Sequence, residues 1–421
     1  MITIRTLLCY LVGDRQAILD LASSRSALWL GAMLVLSAGV AREYDGESLV
    51  HEPWHLLIPF GASLVSSFVL FCLIMACLGM RRLQAVREVR FGSAYRSFLT
   101  LYWMTAPLAW VYAIPVERML SPAAATSANL WFLALVSAWR VLLMIRGVSV
   151  LFRTGGLAAT MIVMLFADAV VLVLLFSTPL PVISFMGGVR LSESEQVLQA
   201  TKLLVGLAGF LTLPVWFLGT CLSVWLAKGD WQPVVSGDSP RGNVSRTAWL
   251  VGWASLAVWA AVLPFTQAEQ QRRWRVERDL RGGRISEALQ FLSAREPGDF
   301  PPHWDPPPRI AYGDAGPPLL DVLEAVMEGS PRAWVRQVYL DKLSAQLHGG
   351  SHWFWYEQSE ESQERLLSLL ERLPEGREII AEQRGQWQDV ATPRESDSER
   401  EAAIRERLRR LLPAVESDAS R

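Results

Sequence analysis

Histidine and cysteine are scarce in this chain, five and four residues respectively among 421. The cysteines (Cys9, Cys72, Cys77 and Cys221) make no C-x-x-C pair and lie in or beside apolar stretches. That excludes a disulfide framework and a cysteine-built zinc site, and leaves inert buried thiols. Charge is sparse too: 19% of residues carry one, against 51% hydrophobic residues, and the formal net charge is -1. No global field therefore points to nucleic acid or to an acidic substrate. A G-x-S-x-G elbow, a phosphate-binding loop, a dinucleotide fingerprint and the kinase set are all missing, and no cofactor is expected. Arginine far outnumbers lysine, which we read as a compositional habit rather than a functional signal.

What is abundant is apolar sequence, and it is unevenly spread. Residues 1–266 hold nearly all the long apolar runs, whereas 267–421 are a dense mixture of Arg, Glu, Asp and Pro. A membrane-crossing helix needs about 20 apolar residues. Candidate spans are 26–41, 54–79, 98–115, 128–146, 156–178, 203–227 and 247–265. The first is short and needs help from its flanks, with Arg25 snorkelling at its start. Trp54, Trp110, Trp131, Trp225, Trp249 and Trp259 fall near span ends, where indoles favour the interface. Within the N-terminal segment 1–25, residues 5–24 are too interrupted to span and read as one amphipathic helix on the cytoplasmic face. The first span ends in S-A-G-V-A, loosely like a signal-peptidase site, but about 25 residues is a long leader and no cleavage is expected. The expected fold is all-α: a multi-pass transmembrane bundle of about seven spans over 26–266, then a C-terminal α-helical extramembrane domain over 267–421.

Arginine and lysine in the short loops set orientation. With the N-terminus inside, the inner segments carry 13 of them, including the run RRLQAVREVR after the second span, and the outer loops carry Arg42, Arg118, Arg190 and Lys202. Seven spans then place 267–421 outside. The basic run QQRRWRVERDLRGGR after the last span opposes this; its six arginines narrow the tally to 13 against 10. The expected setting is a bacterial cytoplasmic (inner) membrane with a cytoplasmic N-terminus and an extracytoplasmic tail.

The stretch LVHEPWHLL contains H-E-x-x-H as His51, Glu52 and His55. In a zincin, two such histidines share one helical face with the glutamate as general base. Here Pro53 marks a helix start, and the residue before a proline is pushed out of the helical region. His51 and His55 should then not share a face. No third ligand follows, since the other histidines are His303, His348 and His352. In those five residues alone the chain resembles the intramembrane zinc proteases. There the motif lies inside a helix and a second ligand motif can be matched; neither holds here. No metal site is expected; Trp54 and His55 read as interface anchors.

Two ionisable residues fall inside spans, Arg140 and Asp168. Each costs about 2.5–3.5 kcal/mol at a bilayer centre, so each needs a partner or water. They sit on consecutive spans at compatible depth, and an intramembrane charge pair is the expectation. Gly206, Gly209, Gly252 and Ser255 suggest close helix packing, and Pro59, Pro107, Pro214 and Pro264 suggest kinks.

The tail reads as short helices separated by Pro and Gly, with an irregular Pro-rich loop at 296–308 anchored by Phe300 and Trp304, and an aromatic plug in HGGSHWFWYEQ (348–358). No fixed repeat period is visible. The function expected is non-enzymatic: a membrane-anchored interaction or assembly protein contacting the lipid bilayer and, through 267–421, a protein partner. The alternatives are a transporter or permease using Arg140/Asp168, and an intramembrane metalloprotease using His51, Glu52 and His55.

Overall fold

A computed structural model describes residues 1–81, 90–177, 193–226, 231–232, 242–309, 316–348, 359–381, 384–393 and 398–412. It is all-helical, 82% helix, without strands among these residues. The chain forms two compact units, one of 1–179 and 196–271, the other of 180–195 and 272–421.

The first unit begins with two short helices, α1 (Ile4–Leu11) and α2 (Arg15–Ala22), rather than the single one expected over 5–24. Thr3 and Asp14 each start one by accepting a backbone N–H in the first turn, supplying partners that a helix terminus lacks. Between them Gly13 adopts φ +79°, a left-handed turn that suits glycine. Tyr10, Ile18 and Leu21 are buried, and the Tyr10 hydroxyl donates to the Leu101 carbonyl at 2.6 Å. These helices are therefore built into the bundle on one face, while Ile4, Leu8 and Val12 remain exposed on the other.

Ser24 caps α3 (Arg25–Glu43), which turns 99° from α2. There follow α4 (Leu57–Arg81), α5 (Phe91–Met104, continued by a 3-10 turn Ala106–Ala113), α6 (Pro122–Phe152), α7 (Gly156–Ser177), α8 (Glu193–Leu226) and α9 (Arg246–Arg281). Helices α4 to α9 make six segments long and apolar enough to cross a membrane. The bent pair α2–α3 is the seventh candidate. At one end of the unit Ile2 exchanges backbone hydrogen bonds with Asn243 and Ser245, and Ser26 accepts from the Val244 N–H. At the other end Gln267 donates to the Tyr44 and Glu47 carbonyls at 3.1 and 3.2 Å. Helix α3 thus runs beside α9 from one end to the other.

Glycines mark the close approaches. A Cβ on Gly31 would lie 3.0 Å from Trp103 Cβ, and one on Gly252 would lie 2.9 Å from Leu30 Cδ1. Helices α7 and α8 pair antiparallel, with Gly206 against Leu175, Gly209 against Leu172 and Gly219 against Met161. The core carries a cluster of Phe71, Phe98 and Phe152, with ring centroids 5.8–6.3 Å apart. Trp131 and Trp225 face outward, whereas Trp110 and Trp259 turn inward. The Trp110 indole donates to Ser37 Oγ at 3.1 Å, and Trp259 packs on Tyr44.

The second unit contains the end of α9, then α10 (Ile285–Ser293), α11 (Leu319–Gly329), α12 (Ala333–His348), α13 (Glu360–Arg372), α14 (Gly376–Ala381), α15 (Arg384–Ala391) and α16 (Glu399–Leu411). Helix α11 packs on α13 and α13 on α16, while α12 packs on α14. Helices α11–α12 and α13–α14 thus form two stacked hairpins, first helix on first and second on second, and α16 continues the row of first helices. The buried positions recur: Val322, Leu323 and Val326; Leu366, Leu367 and Leu370; Ile404, Arg405 and Leu408. The Pro-rich loop is pinned by Phe300, buried and stacked on Trp304 at 4.9 Å, and by Tyr339, which donates to the Pro307 carbonyl at 3.1 Å. The expected aromatic plug falls almost wholly outside the described residues.

Candidate functional site

The most polar feature of the first unit is the rim where residues 44–52 connect α3 to α4. Pro53 opens a 3-10 turn, Pro53–Leu56, with Glu52 before it at φ −128° and ψ 57°. Glu52 is thus held out of the helical region, as the proline requires. His51 turns away and shares a hydrogen bond with Ser48 Oγ at 3.0 Å. His55 instead faces Glu52, with Nε2 3.7 Å from its carboxylate. The H-E-x-x-H letters therefore assemble no two-histidine site. The fold adds Glu47, which the linear pattern could not indicate. One ligand atom each from Glu47, Glu52 and His55 lie within 4.8 Å of one another. These three residues could hold a cation, and as they stand they form a polar cluster.

Beneath this cluster the loop is clamped to α9. Gln267 and Gln270 are buried and donate through their amides to the carbonyls of Tyr44 and Glu47 and of Asp45, respectively. The Tyr44 hydroxyl reaches the Ala113 carbonyl at 2.7 Å, and Arg118 pairs with Glu269 at 2.7 Å. Glu117 accepts from Asn129. Burial, first, and the neighbouring Glu117 carboxylate, second, push Asp45 up to about 6. An aspartate so placed changes charge in the range where histidine ordinarily does.

The two charges within the candidate spans, Arg140 and Asp168, are not brought together. Arg140 donates to Thr105 Oγ1 at 3.1 Å and lies 5.3 Å from the Tyr102 ring centroid. Asp168 accepts from Thr212 on α8. The expected pair fails for a geometric reason. Each residue stands 12 positions from the end of its helix next to the α6–α7 turn, so depth matches. The faces differ: Arg140 points to the α5 segment and Asp168 to α8. Each found a hydroxyl in place of a counter-charge.

In the tail, the six arginines of 272–284 each come within 4.0 Å of a carboxylate. Glu277 receives Arg273 at 2.9 Å, Arg281 at 3.1 Å and Arg309 at 2.8 Å, together with the Trp304 indole. Asp279 receives Arg284 at 2.6 Å and Arg278 at 2.9 Å, with Arg275 at 3.9 Å, while Arg272 reaches Asp299 at 3.4 Å. The stacked first helices are bridged in the same manner. Arg365 of α13 grips Glu324 and Asp321 of α11, and Arg400 and Arg407 of α16 grip Glu364 and Glu371 of α13. No large hydrophobic side chain beyond Phe265 is exposed among the described residues, so the tail surface they form is polar. No family model, curated protein or solved structure matches the chain, and its function has to be argued from these residues alone.

Proposed function

We propose that this is a polytopic membrane protein that carries a protein-docking platform. Seven spans, α3 to α9, would hold an N-terminus in the cytoplasm of a bacterial cell and deliver residues 272–421 to the extracytoplasmic side. The attachment of α3 to α9 at both ends supports counting the short first helix as a span. The matching of all six arginines in 272–284 by carboxylates weakens the one charge signal that opposed export.

The single observation that carries the docking reading is the hairpin stack of the tail. Stacked helical hairpins present an extended surface whose shape is set by the repeat-to-repeat rotation, and such surfaces recognise other proteins. That inference is by architecture, and the polar exterior specifies a hydrophilic, charge-complementary partner. Two measurements test it. A reporter pair fused after Arg421 should give active alkaline phosphatase and dark green fluorescent protein; the reverse pattern rules out seven spans. Photo-crosslinking residues placed at Glu361 and Arg410, on the stacked first helices, and at Gln337, on a second helix, should give a discrete adduct from one face only. Equal adducts from both faces, or none from either, would overturn the docking reading.

A further inference from the structure

The basic segment that opens the tail contains six arginines, and its carboxylates do not serve them equally. Asp279 is already held by Arg284 and Arg278 at 2.6 and 2.9 Å, so Arg275, at 3.9 Å, has only a distant share of it. Arg295, on the following turn of chain, forms no ion pair among the described residues. Its Nη1 donates to the Phe291 carbonyl at 2.9 Å.

These two under-compensated arginines converge on one ring. The Arg295 guanidinium carbon lies 3.5 Å from the Phe291 centroid and that of Arg275 lies 4.3 Å from it. The two cationic carbons are consequently no more than about 8 Å apart. Burial, then the like charges of Arg272 and Arg275, hold Arg295 below the ordinary value for a guanidinium, with Asp299 acting in the opposite sense. Each Arg–aromatic contact contributes only about 0.5–2 kcal/mol. That sum does not by itself explain why two like charges are gathered on one side chain.

We propose that Arg275 and Arg295, positioned by Phe291, form a site for one phosphate group. A guanidinium presents a planar fork that matches phosphate oxygens in bidentate fashion. That limit leaves the two forks within reach of one tetrahedral phosphate. Its charge would offset the repulsion between the two guanidinium groups. A lipid headgroup and a free phosphate compound are the two sources of that chemistry.

The test uses the full-length protein in detergent with two probes. Inorganic phosphate is titrated against chloride at equal ionic strength, and retention of phosphatidylglycerol is compared with that of diacylglycerol by native mass spectrometry. Wild type should bind phosphate or retain phosphatidylglycerol over diacylglycerol, and Arg275→Gln with Arg295→Gln should weaken that binding at least about tenfold. Arg410→Gln, a distant exposed arginine, should leave it unchanged. Retention of phosphatidylglycerol without response to inorganic phosphate assigns the headgroup; response to both assigns the phosphate group whatever its carrier. Should the double variant not fold, Arg275→Gln alone, at an exposed position, should still lower binding several-fold. No binding of either probe by wild type, or undiminished binding by the folded variants, overturns the site.

Discussion

The two units are built from the same secondary structure and turned opposite ways. The first wears its apolar residues outside: Leu204, Phe210, Leu211 and Trp225 of α8 are 63–80% exposed. Its interior is where the hydroxyls pair, as Ser37 with Trp110, Ser63 with Trp103 and Ser67 with Tyr95. The second buries its leucines and covers them with arginine–carboxylate bridges. Apolar content alone therefore does not define an interior. In the first unit paired hydroxyls lie inside among buried Phe, Leu and Ile side chains, while equally apolar side chains stand outside.

That contrast can be broken by substitution. The largest effect expected is for Leu367→Ala, fully buried in the tail. It should cost about 2–5 kcal/mol, read by denaturant unfolding of the full chain with proteolysis of the tail as the probe. Leu211→Ala, on the outside of α8, should change stability in the bilayer by no more than about 0.5 kcal/mol. Equal costs at the two sites would show that the first unit is not inside out. Next, Leu211→Arg should impair membrane insertion by about 2.5–3.5 kcal/mol, whereas Glu361→Leu on the tail surface should stay within about 0.5 kcal/mol.

The rim sharpens the comparison, because there a carboxyl is half-buried without an arginine bridge. Asp45 in the folded protein holds its proton up to about 6, more tightly than in the unfolded chain. Stability should then fall as pH rises from about 4 through about 6, and the full penalty applies above that. Asp45→Asn should be more stable than wild type by about 1–3 kcal/mol at pH 7.5 and no different at pH 4. A pH-independent gap would contradict the assignment. The smallest effect concerns Arg140 and Asp168. Because their faces diverge, Arg140→Leu and Asp168→Leu should combine additively to within about 0.5 kcal/mol in a double-mutant cycle, and a larger coupling would restore the pair.

These residues also show what the sequence could reveal. The depth of Arg140 and Asp168 was countable at a fixed rise per residue; which way each faces depends on how α6 and α7 rotate against their neighbours. Pro53 was decisive for His51 and His55, since its effect is local. Glu47 joins Glu52 and His55 through a loop held by Gln267, more than two hundred residues away. The i,i+4 matches of Arg273 with Glu277 and of Arg275 with Asp279 were legible in RRWRVERD and temper the reading of that run as free positive charge. The hairpin stack was hidden for a simple reason. Val322 to Leu366 spans 44 residues and Leu366 to Ile404 spans 38, so no constant period exists although the buried pattern repeats.

The clamp between Gln267 and the Tyr44 and Glu47 carbonyls sets a timetable for biosynthesis. Chains grow at about 5–20 residues per second, so the carbonyls of the first loop wait roughly ten to forty-five seconds for their donors to be made. Throughout that interval α3 rests on α4 and on the α5 segment, which are made soon after it, while its contacts with α9 stay unmade. The first unit is therefore completed from its last helix back onto its first loop.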